Sequence, residues 1–196
     1  MRVATLCGSL HSGSTNAVVL ATISNHLKRA GAAVEPVDTS VDVPSFRPEA
    51  VDDPPEAVLA IRSVFENADG IVFAIPEYAG GAPGWVKNIT DWMVGSGSLH
   101  GRPVGIVSAA TAGGTNAIKQ LSLTLTWQGA FVVATCGLAA PLTMVRDNLI
   151  TDDAALSRIH QIGDTLAQVL RGDRDAATTS AAALTPLGID PSDRLS

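Results

Sequence analysis

The sequence contains few aromatic and few charged residues, and each scarcity excludes a class of protein. Aromatic residues make up 4% of the 196 residues, with a single tyrosine, and charged residues make up 16%. The 13 lysines and arginines form no cluster and are outnumbered by 19 acidic residues, so the chain lacks the basic surface that nucleic-acid binding requires. No apolar run reaches the ~18 residues of a membrane-spanning helix, so we expect no membrane segment.

Cysteine and clustered histidine are also scarce. Cys7 and Cys136 each stand at the end of an apolar segment, where a small buried thiol is expected rather than a nucleophile or a ligand. The four histidines have no metal-ligand spacing, so we expect no metal site. The N-terminus enters an apolar segment without the basic region and cleavage site of a signal peptide, which predicts a cytoplasmic protein.

The sequence does have a regular alternation of two kinds of segment. Apolar runs rich in β-branched residues predict strands at residues 3–6, 33–37, 70–75, 104–108 and 131–135. Segments of helical character predict helices at residues 16–30, 55–67, 83–94, 116–127 and 151–171. This alternation is typical of a parallel sheet that is covered by helices on both faces, with right-handed crossovers.

The chain is long enough for one domain, which we place at residues 1–171. Residues 172–196 are rich in alanine, threonine, serine and aspartate, and we expect a low-complexity tail that is mobile or draped over a partner. Residues 39–53 include Pro44 and Pro48, which predict an irregular surface loop.

Three segments rich in small residues follow the first, third and fourth predicted strands, at residues 7–15, 76–84 and 108–115. Ligands of parallel sheets bind beyond the carboxyl ends of the strands, so we expect these segments to converge on one edge. The first reads Gly-Ser-Leu-His-Ser-Gly-Ser-Thr-Asn from Gly8 to Asn16. Such a turn directs backbone N–H groups, hydroxyls and a positive helix end at one point, where a phosphate can sit.

The first segment is unsuited to a triphosphate. Gly8, Gly13 and the following Ser14 and Thr15 nearly reproduce the phosphate loop of nucleoside triphosphatases, but Ser14 stands where that motif has its lysine. His11 is the one basic residue of the segment, too little positive charge for three phosphates. The three-glycine dinucleotide pattern is absent as well. A single phosphate with a large non-ionic remainder, such as flavin mononucleotide (FMN), fits; an ordinary turn with Ser14 or Thr15 as helix cap fits equally.

The second segment, together with the first, resembles the NADPH-dependent FMN reductase family, which includes quinone and chromate reductases. The family pattern is close to Gly-Ser-Leu-Arg-x-x-Ser-x-Asn in the first and Pro-Glu-Tyr-Asn-x-x-x-Pro-Gly-x-x-Lys-Asn-x-x-Asp-Trp in the second. The matching residues are Gly8, Ser9, Leu10, Ser14 and Asn16, then Pro76, Glu77, Tyr78, Pro83, Gly84, Lys87, Asn88, Asp91 and Trp92. His11 replaces a family arginine, and Ala79 replaces a family asparagine.

The resemblance implies a flavodoxin-like α/β sandwich with strand order 2-1-3-4-5 and FMN at the switch point between the first and third strands. It implies an enzyme in which NADPH or NADH passes a hydride to the flavin. Electrons then reach a quinone, a free flavin, an azo compound or an oxidised metal ion by a ping-pong mechanism. The flavin carries the chemistry, so no catalytic side chain is expected. It also implies a homodimer or homotetramer, for which the helix bearing Trp85 and Trp92 offers an apolar surface.

The site residues follow from the motifs and the resemblance. We expect the phosphate to be held by Ser9, His11, Ser14, Thr15 and Asn16. We expect the ring to lie on Pro76, Glu77, Tyr78, Ala79 and Gly80, with Ser108, Thr111, Gly113 and Gly114 at its edge. Two alternatives stay open: a flavodoxin-type electron carrier, and a non-catalytic binding protein that has lost FMN through the changes at positions 11 and 79. The low aromatic content favours the enzyme over a carrier, because carriers shield both flavin faces with aromatic rings.

Overall fold

A computed structural model describes residues 1–173. The main sheet has five parallel strands: β1 (Arg2–Cys7), β2 (Ala33–Pro36), β3 (Gly70–Ala74), β4 (Pro103–Ala109) and β5 (Phe131–Leu138). The strands lie in the order β2-β1-β3-β4-β5, which confirms the predicted sheet.

Five helices connect and follow the strands, and each begins and ends close to its predicted boundary. They are α1 (Thr15–Arg29), α2 (Glu56–Glu66), α3 (Gly84–Met93), α4 (Thr115–Trp127) and α5 (Asp153–Leu170). Local signals explain where two of them begin. The Ser14 side chain accepts a hydrogen bond from Asn16 N at the start of α1, and the Asp152 side chain accepts one from Ala155 N at the start of α5.

The helices form a layer on each face of the sheet. Phe65 of α2, Trp92 of α3 and Leu121 of α4 share one buried cluster with the sheet. Ile23 of α1 and Ile159 of α5 belong to the cluster on the other face. Every residue of β3 is buried, so this central strand is an uninterrupted apolar run. Because both faces are covered, the carboxyl ends of the strands form the accessible edge.

Two further strands were not predicted. β6 (Val145–Arg146) and β7 (Leu149–Ile150) pair in an antiparallel hairpin after β5. The two residues between them, Asp147 and Asn148, have φ angles of 50° and 59°, the left-handed pair that suits a two-residue hairpin turn. Two-residue strands are too short to show a periodic pattern, which explains why the sequence did not indicate them.

The long loop at residues 39–53 is irregular, as predicted, apart from a short 3₁₀ turn at Pro48–Ala50. It is fastened to α3: Asn88 accepts from Phe46 N (2.7 Å) and donates to Pro44 O (3.0 Å), and the Trp92 indole also donates to Pro44 O (2.8 Å). Trp92 is 1% exposed and meets the Phe46 ring edge-on. Trp92 is therefore a core residue and forms no part of the apolar surface expected on this helix, while the expectation of a subunit contact stays a prediction.

The predicted low-complexity tail at residues 172–196 lies outside the described residues, except for its first two positions. The boundary of the domain at residue 171 stays a prediction. Among the helices of residues 1–173, none combines the length and the apolar character needed to cross a membrane.

Candidate functional site

Three loops meet at the carboxyl edge of the sheet: loop 1 (residues 8–14), loop 2 (residues 75–83) and loop 3 (residues 110–114). Side chains from the following helices tie them together. The Trp85 indole, in the first turn of α3, donates to Gly8 O at 2.8 Å. Loop 1 also packs tightly on loop 2, since a β-carbon at Gly8 would lie 2.7 Å from a methyl carbon of Ile75.

Loop 1 presents backbone donors at the start of α1. His11 closes the loop on itself, because its carbonyl accepts from Ser14 N (3.2 Å) and its Nδ1 accepts from Gly13 N (3.1 Å). The N–H groups of Ser12 and Thr15 have no acceptor within residues 1–173. The first turn of α1 contains no acidic residue, so nothing offsets the positive end of this helix. Backbone donors at a helix N-terminus of this kind are chemically suited to an anion.

The polar side chains of loop 1 add further donors. Ser9 Oγ accepts from His11 N (3.4 Å), and Ser14 Oγ accepts from Asn16 N (3.2 Å). Both serines use their oxygens as acceptors, so each hydroxyl proton is available for another group. His11 is exposed, and because its Nδ1 accepts a hydrogen bond, its Nε2 carries the proton of the neutral ring.

Asn16 was predicted to hold the phosphate, but its side chain is engaged with the sheet. The buried amide donates from Nδ2 to Ala109 O (3.0 Å) and accepts at Oδ1 from Ala109 N (2.9 Å). The last backbone bond between the β3 segment and β4 joins Ile75 N to Val107 O (2.9 Å). Beyond this bond, the β4 backbone at Ala109 is bonded by the Asn16 amide instead of by β3. Asn16 therefore positions loop 1 against the end of β4.

Loop 2 contains a tight turn. Tyr78 and Gly81 exchange two backbone hydrogen bonds, of 2.9 and 3.0 Å, and the residues between them, Ala79 and Gly80, have φ angles of 50° and 74°. Two positive φ angles define a type I′ turn. The left-handed conformation is unfavourable for alanine, whereas the family asparagine tolerates it. Tyr78 is 56% exposed at this turn.

Loop 2 is hydrogen-bonded to α4 on both sides of the turn. Glu77 Oε2 accepts from Asn116 N (2.9 Å) and Ala117 N (3.1 Å), two N–H groups of the first turn of α4. Gln120 Oε1 accepts from Ala82 N at 2.7 Å. Gly114 precedes α4 and supplies no side-chain cap, so Glu77 caps this helix from another loop. Sequence reasoning missed Gln120, because a polar residue in an exposed helix turn gives no local signal.

Loop 3 is built from small residues because the chain packs on itself there. A β-carbon on Gly114, whose φ is +68°, would lie 1.9 Å from Ser108 Oγ. Ser108 is fully buried, and its hydroxyl has no hydrogen-bond partner within the part of the chain that the structure describes. Gly113 is also buried, whereas Thr111 is exposed at the loop. The structure thus brings the predicted third-loop residues to the same edge as loops 1 and 2.

Both cysteines of the described residues are at least partly buried. Cys7 lies at the end of β1, where burial raises the pKa of its thiol and keeps it protonated at neutral pH. Burial raises the pKa of Cys136 in the same way. Over residues 1–173, no three histidine, cysteine, aspartate or glutamate side chains are arranged to hold a metal ion.

Comparisons with known proteins agree with the motifs. The sequence profile of a family described as NADPH-dependent FMN reductase matches residues 1–143. The chain is similar to a quinone reductase of Escherichia coli (strain K12), with 32% identity over 108 residues, which cover 53% of this chain and 57% of that protein. It is also similar to a 2-hydroxy-1,4-benzoquinone reductase of Burkholderia sp, with 29% identity over 132 residues, 63% of this chain and 68% of that one.

A solved structure shows the same fold. The flavoenzyme NAD(P)H:(acceptor) oxidoreductase (FerB) from Paracoccus denitrificans superposes with a TM-score of 0.71 at 23% sequence identity, covering 88% of this chain and 98% of that chain. The alignment with the Escherichia coli quinone reductase, by contrast, spans little more than half of that protein, 57% of its length. The profile match confirms the resemblance that the sequence motifs indicated.

Proposed function

Because this chain belongs to the NADPH-dependent FMN reductase family, we propose that it binds FMN at the edge formed by loops 1, 2 and 3 and reduces a quinone with NADPH or NADH. The set of donors in loop 1 is the observation that carries the proposal. It offers unpaired backbone donors at a helix N-terminus that has no acidic residue in its first turn. The quinone class rests on the similarity to two quinone-reducing enzymes.

The residues present fit an FMN phosphate. The N–H groups of Ser12 and Thr15, the hydroxyls of Ser9 and Ser14 and the Nε2 proton of His11 are donors for one phosphate group. Loop 1 contains no lysine or arginine, in keeping with a monophosphate rather than a triphosphate. Asn16 contributes by holding this loop in place.

Loops 2 and 3 fit a flat ring. We place the ring against residues that either form the turn of loop 2 or line the small-residue loop 3: Pro76, Glu77, Tyr78, Ala79, Gly80, Ser108, Thr111, Gly113 and Gly114. The glycines and alanines of both loops allow peptide groups to approach a planar ligand closely. The buried Ser108 hydroxyl has no partner within residues 1–173 and lies against Gly114 at the start of α4.

When bound, FMN supplies the redox chemistry, accepting a hydride from NADPH or NADH and delivering electrons to the quinone. The protein holds the cofactor and leaves room for its substrates. Tyr78 is the one phenylalanine, tyrosine or tryptophan in the three loops. With so little aromatic cover, one face stays accessible, and the two substrates use it in turn.

The phosphate site is tested by comparing FMN with riboflavin, which lacks the phosphate. We expect the wild-type protein to bind FMN much more tightly, and Ser14→Ala to weaken FMN binding by about 1–3 kcal/mol while changing riboflavin binding little. Ser24→Ala, which removes another hydroxyl of α1, is the matched control. Equal weakening of both ligands by Ser14→Ala would mean that this serine acts only as a helix cap.

The order of the two half-reactions is tested by steady-state kinetics. Varying NADPH and a quinone together should give parallel double-reciprocal lines, because the shared face admits one substrate at a time. Intersecting lines would show that both bind together. Bound FMN that NADPH and NADH fail to bleach would instead indicate an electron carrier.

A homodimer or homotetramer and a cytoplasmic location stay predictions. Trp92, on the helix that was expected to offer an apolar contact surface, is buried. Large apolar residues are exposed on α4 instead, where Trp127 is 84% exposed and Leu123, one turn earlier, is 49% exposed.

A further inference from the structure

The helices α1 and α4 both begin at the proposed site, but they differ in whether a carboxylate compensates the positive charge of the helix N-terminus. Neither α1 nor α4 has an acidic residue in its own first turn. Among the described residues no carboxylate accepts from the first N–H groups of α1, whereas one oxygen of Glu77 in loop 2 accepts from both Asn116 N and Ala117 N of α4. No basic side chain within residues 1–173 pairs with Glu77. The negative charge of Glu77 is therefore compensated by the positive end of α4.

We infer that Glu77 is a positioning residue that fixes the turn of loop 2 on α4 and also sets the charge of the ring site, so that it lowers the midpoint potential of bound FMN. This inference rests on the proposed function. A helix N-terminus carries about half a positive charge, less than the full negative charge of a carboxylate. With Glu77 in place, the end of α4 is negative on balance, and without its charge the same end is positive.

With the ring placed as proposed on the turn of loop 2, this charge lies beside the ring. Glu77 immediately precedes Tyr78 and the turn, and it is held at the α4 end by bonds of 2.9 and 3.1 Å. Gln120 fixes the far side of the turn through Ala82 N. Reduction adds negative charge to the flavin, and charges near the ring nitrogens are a means by which proteins tune it. A fixed carboxylate opposes that added charge, whereas an uncovered helix end would favour it.

The same arrangement directs the phosphate. Because Glu77 covers the end of α4, the end of α1 is the one of the two that attracts an anion. The edge therefore has two parts of opposite charge. The part at loop 1, where we propose the phosphate, is electropositive, and the part at loop 2, where we propose the ring, is electronegative.

Two substitutions separate position from charge. In Glu77→Gln the amide oxygen can accept from both N–H groups as Oε2 does, so the turn stays fixed while the charge is lost. Glu77→Ala removes the cap as well. Glu66→Gln is the matched control, because Glu66 is an exposed glutamate at the C-terminal end of α2, at the opposite edge of the sheet.

The midpoint potential of bound FMN, measured by reductive titration against a reference dye, is the primary readout. We expect Glu77→Gln to raise the affinity for reduced relative to oxidised FMN by about tenfold, which corresponds to about 30 mV for a two-electron couple. Glu66→Gln should match the wild type. Glu77→Ala should raise the potential too, and in addition weaken FMN binding and lower the melting temperature of the apoprotein, which Glu77→Gln largely preserves.

An unchanged or lowered potential in Glu77→Gln, with FMN bound, would overturn the inference while leaving the proposed function intact. Failure of the wild-type protein to bind FMN would overturn the proposed function instead. In that case the melting temperatures of the apoproteins still decide the positioning role: equal values for wild type and Glu77→Ala would refute it.

Discussion

Replacing Asn16 with alanine should separate the phosphate loop from the end of β4. The Asn16 side chain is 3% exposed and makes two hydrogen bonds with the Ala109 backbone, of 3.0 and 2.9 Å. Ala109 is 5% exposed, and the pairing of β3 with β4 ends before it, at Ala74 and Val107. Truncation therefore leaves a buried N–H and a buried C=O without a protein partner.

The expected loss is large for a single side chain. Each buried polar group deprived of its partner costs about 1–3 kcal/mol, so the two together cost about 2–6 kcal/mol. The better helix propensity of alanine in α1 offsets roughly 0.5 kcal/mol of this. The remainder is a substantial fraction of the ~5–15 kcal/mol that stabilises a typical domain.

Urea unfolding of the apoprotein measures this loss. Asn25→Ala is the matched control, since Asn25 is exposed on the same helix and its side chain makes no hydrogen bond within residues 1–173. Asn16→Asp should be as damaging as Asn16→Ala, because it loses the donor to Ala109 O and buries a charge. Both Asn16 variants should weaken FMN and riboflavin alike, because they displace loop 1 rather than remove a phosphate contact.

An unfolding free energy for Asn16→Ala within ~0.5 kcal/mol of the control would refute this reasoning. A selective loss of FMN binding with unchanged stability would restore the phosphate role that the sequence predicted for Asn16.

Two further predictions concern strain and pH. Ala79→Gly should stabilise the protein by about 1 kcal/mol in thermal unfolding, because glycine adopts the φ of 50° without the steric cost of alanine. The same substitution at Ala60, on the exposed side of α2, should destabilise by about as much, and stabilisation at both sites would count against strain at Ala79. The rings of His160 and His26 are stacked, with their centroids 4.3 Å apart. The pKa of His160 lies below its ordinary value, first because of burial and then because of the nearby His26 and Arg29; Asp164 acts in the opposite direction and is outweighed. The unfolded chain therefore takes up a proton at higher pH than the folded one, so the unfolding free energy should fall as the pH drops from about 7 to about 5. His160→Gln should flatten that dependence in urea titrations, and an unaltered slope would assign it to other groups.

The sequence predicted the sheet because its strands are strong local signals. β1, β3 and β4 are apolar runs long enough to stand out, and Ser14 and Asp152 mark helix starts within a few residues of the chain they cap. The hairpin of β6 and β7 has no comparable signal. Its existence depends on tertiary packing, in which Ile150 joins the core cluster that α1 and α5 share.

The sequence predicted where the three loops lie but not the partners of their side chains. Small residues after β1, β3 and β4 indicate three loops at one edge, and the structure has them there. The roles of Asn16, Glu77 and Trp85 depend on bonds to residues 93, 39 and 77 positions away. No local pattern encodes such a pairing, which explains why the sequence did not indicate the bonds between Asn16 and the Ala109 backbone.

The bonds between the loops also limit how this edge can be re-engineered. Three of the side chains that fasten it, Asn16, Trp85 and Gln120, belong to the helices α1, α3 and α4, whereas Glu77 is part of loop 2. A loop transplanted from a relative would arrive without the helix side chains that hold it. Its backbone groups would then not match the side-chain donors and acceptors of the new helices. Because Trp85 of α3 holds loop 1 and Gln120 of α4 holds loop 2, the exchangeable unit is the three strand–loop–helix segments together, and directed evolution of acceptor preference should take all three from one parent.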